Sequence, residues 1–160
     1  MPDMLDLSAH LPELELAVGD TVTLEGGRSG GLWVLVSGAL GVWNGDAVVG
    51  TITRPGALVG DVSLLLGTDQ WATVRATEPS RVRYAADGTA LLFGNQDVIT
   101  QVAISLAHRL TNVTAYLADL EHQYGDAPGL SMVNKVLGQI TVHDPPAVRT
   151  GSARDPDPEY

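Results

Sequence analysis

Residues Gly60 to Val74 read GDVSLLLGTDQWATV, and this stretch decides how the rest of the chain is interpreted. It opens with a glycine and a carboxylate, continues through an apolar run, turns at Gly67-Thr68 and ends in Ala-Thr-Val, which is typical of a strand start. A Gly-acid pair, a turn and a strand at this spacing have the layout of a phosphate-binding cassette. The sequence therefore predicts a ligand site here. Its candidate residues are Gly60, Asp61, Val62, Ser63, Gln70, Trp71, Ala72 and Thr73.

Three other segments extend the pattern. Gly19-Asp20 is a second glycine-acid pair, residues 32–38 read LWVLVSG, and residues 54–60 read RPGALVG. Each piece alone is a weak signal, because such short patterns occur in many β proteins. In this order and spacing, however, the four segments resemble the cyclic nucleotide-binding domain family over roughly residues 16 to 122. The resemblance implies a mainly β fold, a jelly-roll-like β-roll, followed by C-terminal helices of which the first is long.

The resemblance also implies roles for two cassette residues. In the family a glutamate holds the ribose 2′-hydroxyl and an arginine pairs with the cyclic phosphate, and the corresponding residues here are Asp61 and Gln70. Asp61 keeps the carboxylate on a shorter side chain, whereas Gln70 offers a neutral hydrogen bond in place of a charged, forked one. Loss of such a contact commonly costs a few kcal/mol. We therefore expect weak or altered cyclic nucleotide binding and no other cofactor.

The neighbours of Gln70 depart from the family pattern as well. Asp69 adds a second negative charge where the family often has proline. Trp71 is larger than the small residue usual at its position, so it fills the phosphate end of the pocket, offers a stacking face or packs as a core aromatic. The backbone amides from Gly60 to Ser63 need no particular side chain to form an anion-binding nest. The sequence thus predicts a non-standard cassette.

Three arginines are interpreted from strand alternation. Arg75 lies two residues beyond Thr73 and points to the same side, from which it could lend a positive charge to the pocket. Arg81 and Arg83 alternate on one strand and share a face, which we expect to be solvated.

Composition predicts one soluble domain. The chain has 160 residues, 44% of them hydrophobic, and no apolar run long enough for a membrane span. The first ten residues lack the order of a signal peptide, and the absence of cysteine excludes disulfides and thiolate chemistry. The net charge of −10 opposes nucleic-acid binding. We expect a cytoplasmic protein that neither inserts into a membrane nor binds nucleic acid.

Short strands are predicted in the first half of the chain. Apolar or alternating runs recur at about ten-residue spacing, as in a sandwich or barrel, and Asn44-Gly45 is a hairpin signal. The predicted strands are residues 21–25, 32–36, 40–43, 48–53, 72–76 and 80–84.

Helical periodicity begins after Asp87-Gly88. A short helix is expected at residues 89–93 and a long one from Asp97. The apolar residues of the long helix recur at steps of four and three, which is a heptad seam. They are Leu106, Leu110, Val113, Leu117 and Leu120, with Ile99 and Val102 upstream. The seam either packs on the chain's own β-roll or, as the resemblance to bacterial regulators implies, forms a homodimer through the helix from Asp97 to Glu121.

Few residues follow the long helix, and several of them are prolines. Bacterial transcription factors of the family carry a winged-helix domain there, and we expect none here. The prediction divides the chain into three regions: 1–122 with the binding domain and long helix, 123–144 with a short helix from Leu130 to Ile140 and a linker, and 145–160 as a disordered tail.

Other motifs carry little chemistry. His108 and His122 are too far apart along their helix to share a metal ion, and Ser63 and Ser105 stand in no hydrolase arrangement. The loop Gly26–Gly31, GGRSGG, resembles a phosphate loop in composition only, without the required lysine. We therefore expect neither enzyme activity nor a metal site.

Two functions remain open. The chain is either a stand-alone sensor or regulatory module that binds a cyclic nucleotide or a related molecule and acts through protein contacts, or a degenerate fold that binds no nucleotide and serves as a dimerisation or docking module. The substitutions at residues 69–71 favour the second function or an altered ligand. Neither the ligand nor the protein partner is identified by the sequence.

Overall fold

A computed structural model describes residues 1–124, 132 and 135–137 of the chain. The described elements are, in order, α1 (Met4–Leu7), β1 (Glu13–Leu16), β2 (Thr21–Thr23), β3 (Leu32–Ser37), β4 (Leu40–Asn44), β5 (Ala47–Ile52), β6 (Leu58–Val59), α2 (Asp61–Leu66), β7 (Thr73–Ala76), β8 (Ser80–Ala85), α3 (Gly88–Gly94) and α4 (Gln96–Tyr124).

The strands of the described part form two four-stranded antiparallel sheets. One sheet has the order β1-β8-β3-β6, and the other has the order β2-β7-β4-β5. Their inward apolar side chains meet in one core, because each strand turns alternate residues to the same side. The core comprises Leu35, Val59 and Val82 of the first sheet with Leu40, Val42, Val74 and Ala76 of the second, and Ala72 beside them. The predicted β-roll followed by a long helix is confirmed.

The β4–β5 hairpin contains the turn that Asn44-Gly45 predicted. Asn44 still pairs with Ala47, so the loop consists of Gly45 and Asp46 rather than of Asn44 and Gly45. Gly45 has a φ of 57°, and glycine at the first loop position suits a two-residue hairpin of type II′. The predicted hairpin is therefore present, with its turn displaced by one residue.

The N-terminal segment contributes two elements that were not predicted. In α1 the carboxylate of Asp3 accepts the Asp6 N–H at 2.9 Å as an N-cap, and Met4 is buried. Strand β1 reads Glu-Leu-Glu-Leu and lies at the edge of its sheet, where most of its residues stay exposed. The two-residue β6 and the six-residue α2 were likewise not among the predicted elements.

Arg83 corrects the expectation of a solvated arginine pair. Its side chain is 18% exposed, donates to the carbonyl of Leu5 at 2.6 Å and to Ser8 Oγ at 3.2 Å, and lies 3.4 Å from the carboxylate of Glu13. Arg81 meets the same carboxylate at 2.8 Å but is 49% exposed. The two arginines share a face as expected, yet Arg83 anchors the N-terminal segment to β8.

The chain divides into two compact units, Met1–Ser105 and Leu106–Tyr160, with the boundary inside α4. In the first unit, Val98 and Val102 of α4 are fully buried. In the second unit, Leu110 and Val113 are 52% and 51% exposed. The predicted heptad seam is thus helical throughout, and its middle part is open on a single chain.

The predictions for the C-terminal part lie mostly outside the described residues. Of the expected helix from Leu130 to Ile140, only Met132 and residues 135–137 are described, and they are helical. The expected tail, 145–160, falls entirely outside, and the region boundaries at 122 and 144 stay predictions. Within the described residues, no helix has both the length and the apolar character needed to cross a bilayer.

Candidate ligand-binding site

Gly60 fixes the start of the cassette. It follows β6 and is the N-cap of α2 in a left-handed conformation, with φ at 96° and no side-chain cap. A side chain here would place its Cβ 2.8 Å from the carbonyl oxygen of Gly31 and 3.4 Å from the ring of Trp33. Glycine is therefore required both by the backbone angle and by the close approach of the segment before β3.

Three polar side chains of the cassette are buried. Asp61, Ser63 and Gln70 are 3%, 1% and 6% exposed, whereas Val62 is partly buried. Within the described residues, Ser63 Oγ and Gln70 Nε2 have no hydrogen-bond partner. A buried polar group left unpaired costs about 1–3 kcal/mol, and native proteins pair the large majority of such groups. These two atoms therefore mark the interior of the cassette as a place where a ligand would find hydrogen-bonding partners.

Backbone hydrogen bonds hold both Ser63 and Gln70 in place. The N–H of Gln70 donates to the carbonyl of Gly27, and its carbonyl accepts from the N–H of Gly26, both at 2.8 Å. The carbonyl of Ser63 accepts at 3.0 Å from the N–H of Thr68, two residues before Gln70. The turn after α2 is thus held to Ser63 at Thr68 and to the glycine-rich loop at Gln70.

The glycine-rich loop Gly26–Gly31 borders both ends of this site. It bonds to Gln70 at one end and contacts Gly60 through Gly31 at the other. Arg28 at its middle is exposed. This loop was not among the predicted site residues, although its clustered glycines were a signal of close backbone approach.

Trp71 lies at the surface. The residue is 45% exposed, and its carbonyl accepts a hydrogen bond from the side-chain amide of Asn44. The next residue, Ala72, is 3% exposed and belongs to the core. The interpretation of Trp71 as a packed core aromatic is therefore wrong, and the buried position beside it is filled by alanine.

Thr73 and Arg75 lie on the outer face of β7. Thr73 Oγ1 accepts from the N–H of Glu25 at 3.0 Å, Arg75 is exposed, and Val74 between them is buried in the core. Arg75 shares the side of Thr73, as expected, because strand residues alternate. Since Arg75 is exposed, water screens its charge and weakens the attraction it could offer an anion.

The cassette carries no positive charge of its own. Residues 60–74 contain Asp61 and Asp69 and no lysine, arginine or histidine. Asp61 is buried, whereas Asp69 is exposed. Within residues 60–74, therefore, no side chain offers a positive charge to an anionic ligand.

A cavity of about 200 Å³ lies away from the cassette. Its lining residues come from the N-terminal segment, from residues 54–58 up to the start of β6, and from the first turns of α4, and none belongs to the cassette. They are Asp3, Met4, Arg54, Pro55, Gly56, Leu58, Gln101 and Ser105. In the described part of the chain, no three histidine, aspartate or glutamate side chains are grouped so as to hold a metal ion.

Comparison with solved structures supports the fold. The crystal structure of the Thermus thermophilus catabolite activator protein is 22% identical with a TM-score of 0.60, covering 76% of this chain and 60% of that one. The N-terminal domain of a transcriptional regulator from Streptomyces coelicolor A3(2) is 24% identical with a TM-score of 0.51, covering 68% and 81%. PKAR CBD2 bound to Sp-2Cl-cAMPS is 20% identical with a TM-score of 0.52, covering 68% and 75%.

The sequence comparison gives the family. No curated protein sequence is significantly similar to this chain. The family profile described as the cyclic nucleotide-binding domain matches residues 13–102, which is more than half of the chain and includes all eight candidate site residues. The chain therefore belongs to the cyclic nucleotide-binding domain family.

Proposed function

We propose that this chain is a regulatory, ligand-sensing module that binds the usual cyclic nucleotides weakly because its phosphate-binding cassette is altered, and that acts through contacts with other proteins. The proposal rests on the burial of a neutral residue, Gln70. Its side chain is buried in the cassette with an unpaired Nε2, at the position where the family resemblance implies an arginine for the phosphate.

The loss of affinity follows from the loss of a charge. A hydrogen bond to a charged group contributes about 1.5–3 kcal/mol, and a neutral amide makes a weaker one. Replacing the arginine contact by Gln70 therefore raises the dissociation constant of a cyclic phosphate by roughly 10- to 100-fold. Two further differences act in the same direction: Asp69 adds a negative charge beside Gln70, and the shorter side chain of Asp61 reaches a ribose hydroxyl less well than the family's glutamate.

The test is calorimetric titration of the purified chain with cyclic AMP and cyclic GMP. We expect dissociation constants far above about 1 µM. As a control, the same preparation must unfold cooperatively on heating, so that weak binding is not the result of misfolding. A dissociation constant of about 1 µM or tighter for either nucleotide contradicts the altered-cassette proposal.

The proposed output element is α4. Its seam residues Leu110 and Val113 are about half exposed, and an apolar stripe at heptad spacing is a surface for a partner helix. We propose a homodimer through the helix from Asp97 to Glu121, because the stripe of one copy then meets the same stripe of the other across a two-fold axis. The partner that receives the signal is a further protein.

The second candidate is a degenerate fold that binds no nucleotide and serves only for dimerisation or docking. The absence of any cation in residues 60–74 favours it. Thermal unfolding separates the two candidates, since a ligand at about a hundred times its dissociation constant adds about 2.7 kcal/mol of stability. A chain stabilised by no nucleotide or nucleoside is the docking module.

A further inference from the structure

The cavity beside the N-terminal segment lies within the first compact unit, Met1–Ser105. One of its walls is the stretch 54–57, which reads Arg-Pro-Gly-Ala. The N–H of Ala57 donates to the carbonyl of Arg54 at 3.0 Å, and Gly56 has a φ of 86°. Proline followed by such a glycine suits a type II turn. The backbone of Arg54 is therefore held in a defined place at the cavity.

The other walls come from the N-terminal segment and α4. Gln101 and Ser105 both line the cavity, and their spacing of four residues puts them on one face of the helix. The side-chain amide of Gln101 donates to the carbonyl of Pro2 at 3.0 Å, which ties α4 to the residue before Asp3. The cavity is thus closed by hydrogen-bonded contacts between segments that are distant in sequence.

Opposite charges line this cavity without being paired to each other. Arg54 and Asp3 are both lining residues, and among the described residues neither takes part in an ion pair. Asp3 Oδ1 accepts the N–H of Asp6 at 2.9 Å, but the two oxygens of a carboxylate accept about four hydrogen bonds in all. A single ligand with both signs of charge can therefore engage both residues.

The floor and the volume of the cavity limit what else the ligand carries. Met4 and Leu58 are 5% and 6% exposed, whereas Arg54, Asp3 and Pro55 are exposed. The charged groups therefore lie toward solvent and the apolar groups lie inside. The cavity holds about 200 Å³, less than the roughly 300–1,000 Å³ of sites for drug-sized molecules. A fitting ligand is small, with charges at one end and a short apolar group at the other.

We infer that this cavity binds a small apolar α-amino acid in its zwitterionic form, such as valine or leucine. The α-carboxylate pairs with the guanidinium of Arg54, whose parallel N–H groups match a carboxylate. The α-ammonium donates to Asp3, and the aliphatic side chain packs on Met4 and Leu58. This site is separate from the cassette, so it does not depend on whether the chain binds a nucleotide.

The test is a heteronuclear NMR titration of the full chain with L-valine and L-leucine. Because ion pairs at exposed residues are weak, we expect a dissociation constant of roughly 0.1–1 mM for at least one of them. The amide signals of Gly56 and Gln101 should shift, whereas that of Gly67, at the end of α2 and outside the cavity, should not. No shift at about 10 mM of either amino acid, or shifts confined to residues outside the cavity, overturns the inference.

Two fragments of valine test the need for both charges. The first, 3-methylbutanoate, lacks the ammonium group, and the second, 2-methylpropylamine, lacks the carboxylate. Each should bind about fivefold or more weakly than L-valine, because it engages only one of the two charged residues. A fragment that binds as tightly as the amino acid shows that the cavity does not recognise a zwitterion, and the inference is then wrong.

Arg54→Gln tests the carboxylate end. It should weaken binding of the amino acid about fivefold or more. Arg75→Gln removes the same charge from an exposed residue that does not line the cavity, and it should leave the affinity within about twofold. Equal losses in the two variants would mean that the net charge of the chain, and not Arg54, determines binding.

Asp3→Asn tests the ammonium end without removing the helix cap, since asparagine caps helices about as well as aspartate. It should weaken binding of L-valine about fivefold or more and leave that of 3-methylbutanoate unchanged or tighter. Asp46→Asn makes the same charge change in the exposed β4–β5 loop and should alter neither affinity. If Asp3→Asn binds L-valine as tightly as the wild type, Asp3 does not receive the ammonium group and the inference fails.

Discussion

At Gly60 the lack of a side chain determines how the cassette is built. The residue turns the chain from β6 into α2 with φ at 96°, and its backbone lies against Gly31 so closely that a Cβ would be 2.8 Å from the carbonyl oxygen. Gly67 at the other end of α2 has a φ of 66° but nothing within 4 Å of a Cβ. Comparing substitutions at the two glycines therefore separates the cost of backbone strain from the cost of steric overlap.

We expect Gly60→Ala to lower the free energy of unfolding by about 2–4 kcal/mol, because it combines left-handed strain with displacement of Gly31. Gly67→Ala carries only the strain and should cost about 1 kcal/mol. Urea unfolding of both variants measures the difference. Equal losses for the two variants would show that the contact with Gly31 is not tight.

At the scale of elements, the short helix α1 is held by a side chain from β8. Four residues are too few for a helix to be stable alone, and α1 depends on the burial of Met4 and on the bonds from Arg83 to Leu5 and Ser8. Arg81 is its natural control, since it binds Glu13 from the same strand but remains half exposed.

Arg83→Met should destabilise the folded chain by about 1–3 kcal/mol, because it removes the charged donor to Ser8 Oγ and leaves the carbonyl of Leu5 with only the long 3.4 Å bond from Ser8. Arg81→Met removes a surface ion pair and should cost about 0.5 kcal/mol or less. Chemical denaturation gives both values, and hydrogen exchange at α1 reports whether the loss is local. Equal effects would mean that Arg83 does not anchor this segment.

At the scale of the whole molecule, two properties determine what the chain contacts. One is the half-exposed stripe on α4, which is open on a single copy. The other is charge, since nineteen acidic residues against nine basic ones give −10. The first favours association with an apolar helix, and the second opposes association with a polyanion.

Light scattering should give a dimeric mass for the wild type and a monomeric mass for Leu110→Glu with Leu117→Glu, because two charges in the seam cannot be buried in a partner. Thr111→Glu with Ala118→Glu adds the same charges at the same spacing on exposed positions and should remain dimeric. The β-sheet circular dichroism signal should be retained in all three proteins. A monomeric wild type contradicts the homodimer.

We expect no specific DNA complex. The net charge repels the phosphate backbone, and non-specific affinity depends on basic residues that are few here. An electrophoretic mobility assay at about 150 mM salt with excess competitor DNA should show no retarded band. A retarded complex that persists under these conditions would require a basic surface that the composition does not suggest.

The sequence by itself determined the strands β2 to β5, β7 and β8, the helices α3 and α4 and the heptad seam, because turn residues and periodicity act over a few neighbours. Glu13-Leu14-Glu15-Leu16 shows that even β1 was visible in its alternation, whereas two-residue β6 has no such pattern. The absence of a cation in the cassette was likewise visible in residues 60–74.

Only the tertiary structure decided which side chains are buried and what they meet. Arg83 reaches Leu5 across 78 positions of sequence, and Gln70 is fixed by Gly26 and Gly27. The local sequence pattern could not predict that Trp71 lies at the surface or that Ser63 Oγ is buried without a hydrogen-bond partner in the described structure. Burial depends on which distant segments pack together. The family and its fold thus follow from short-range signals, whereas the chemistry of the site follows from long-range contacts.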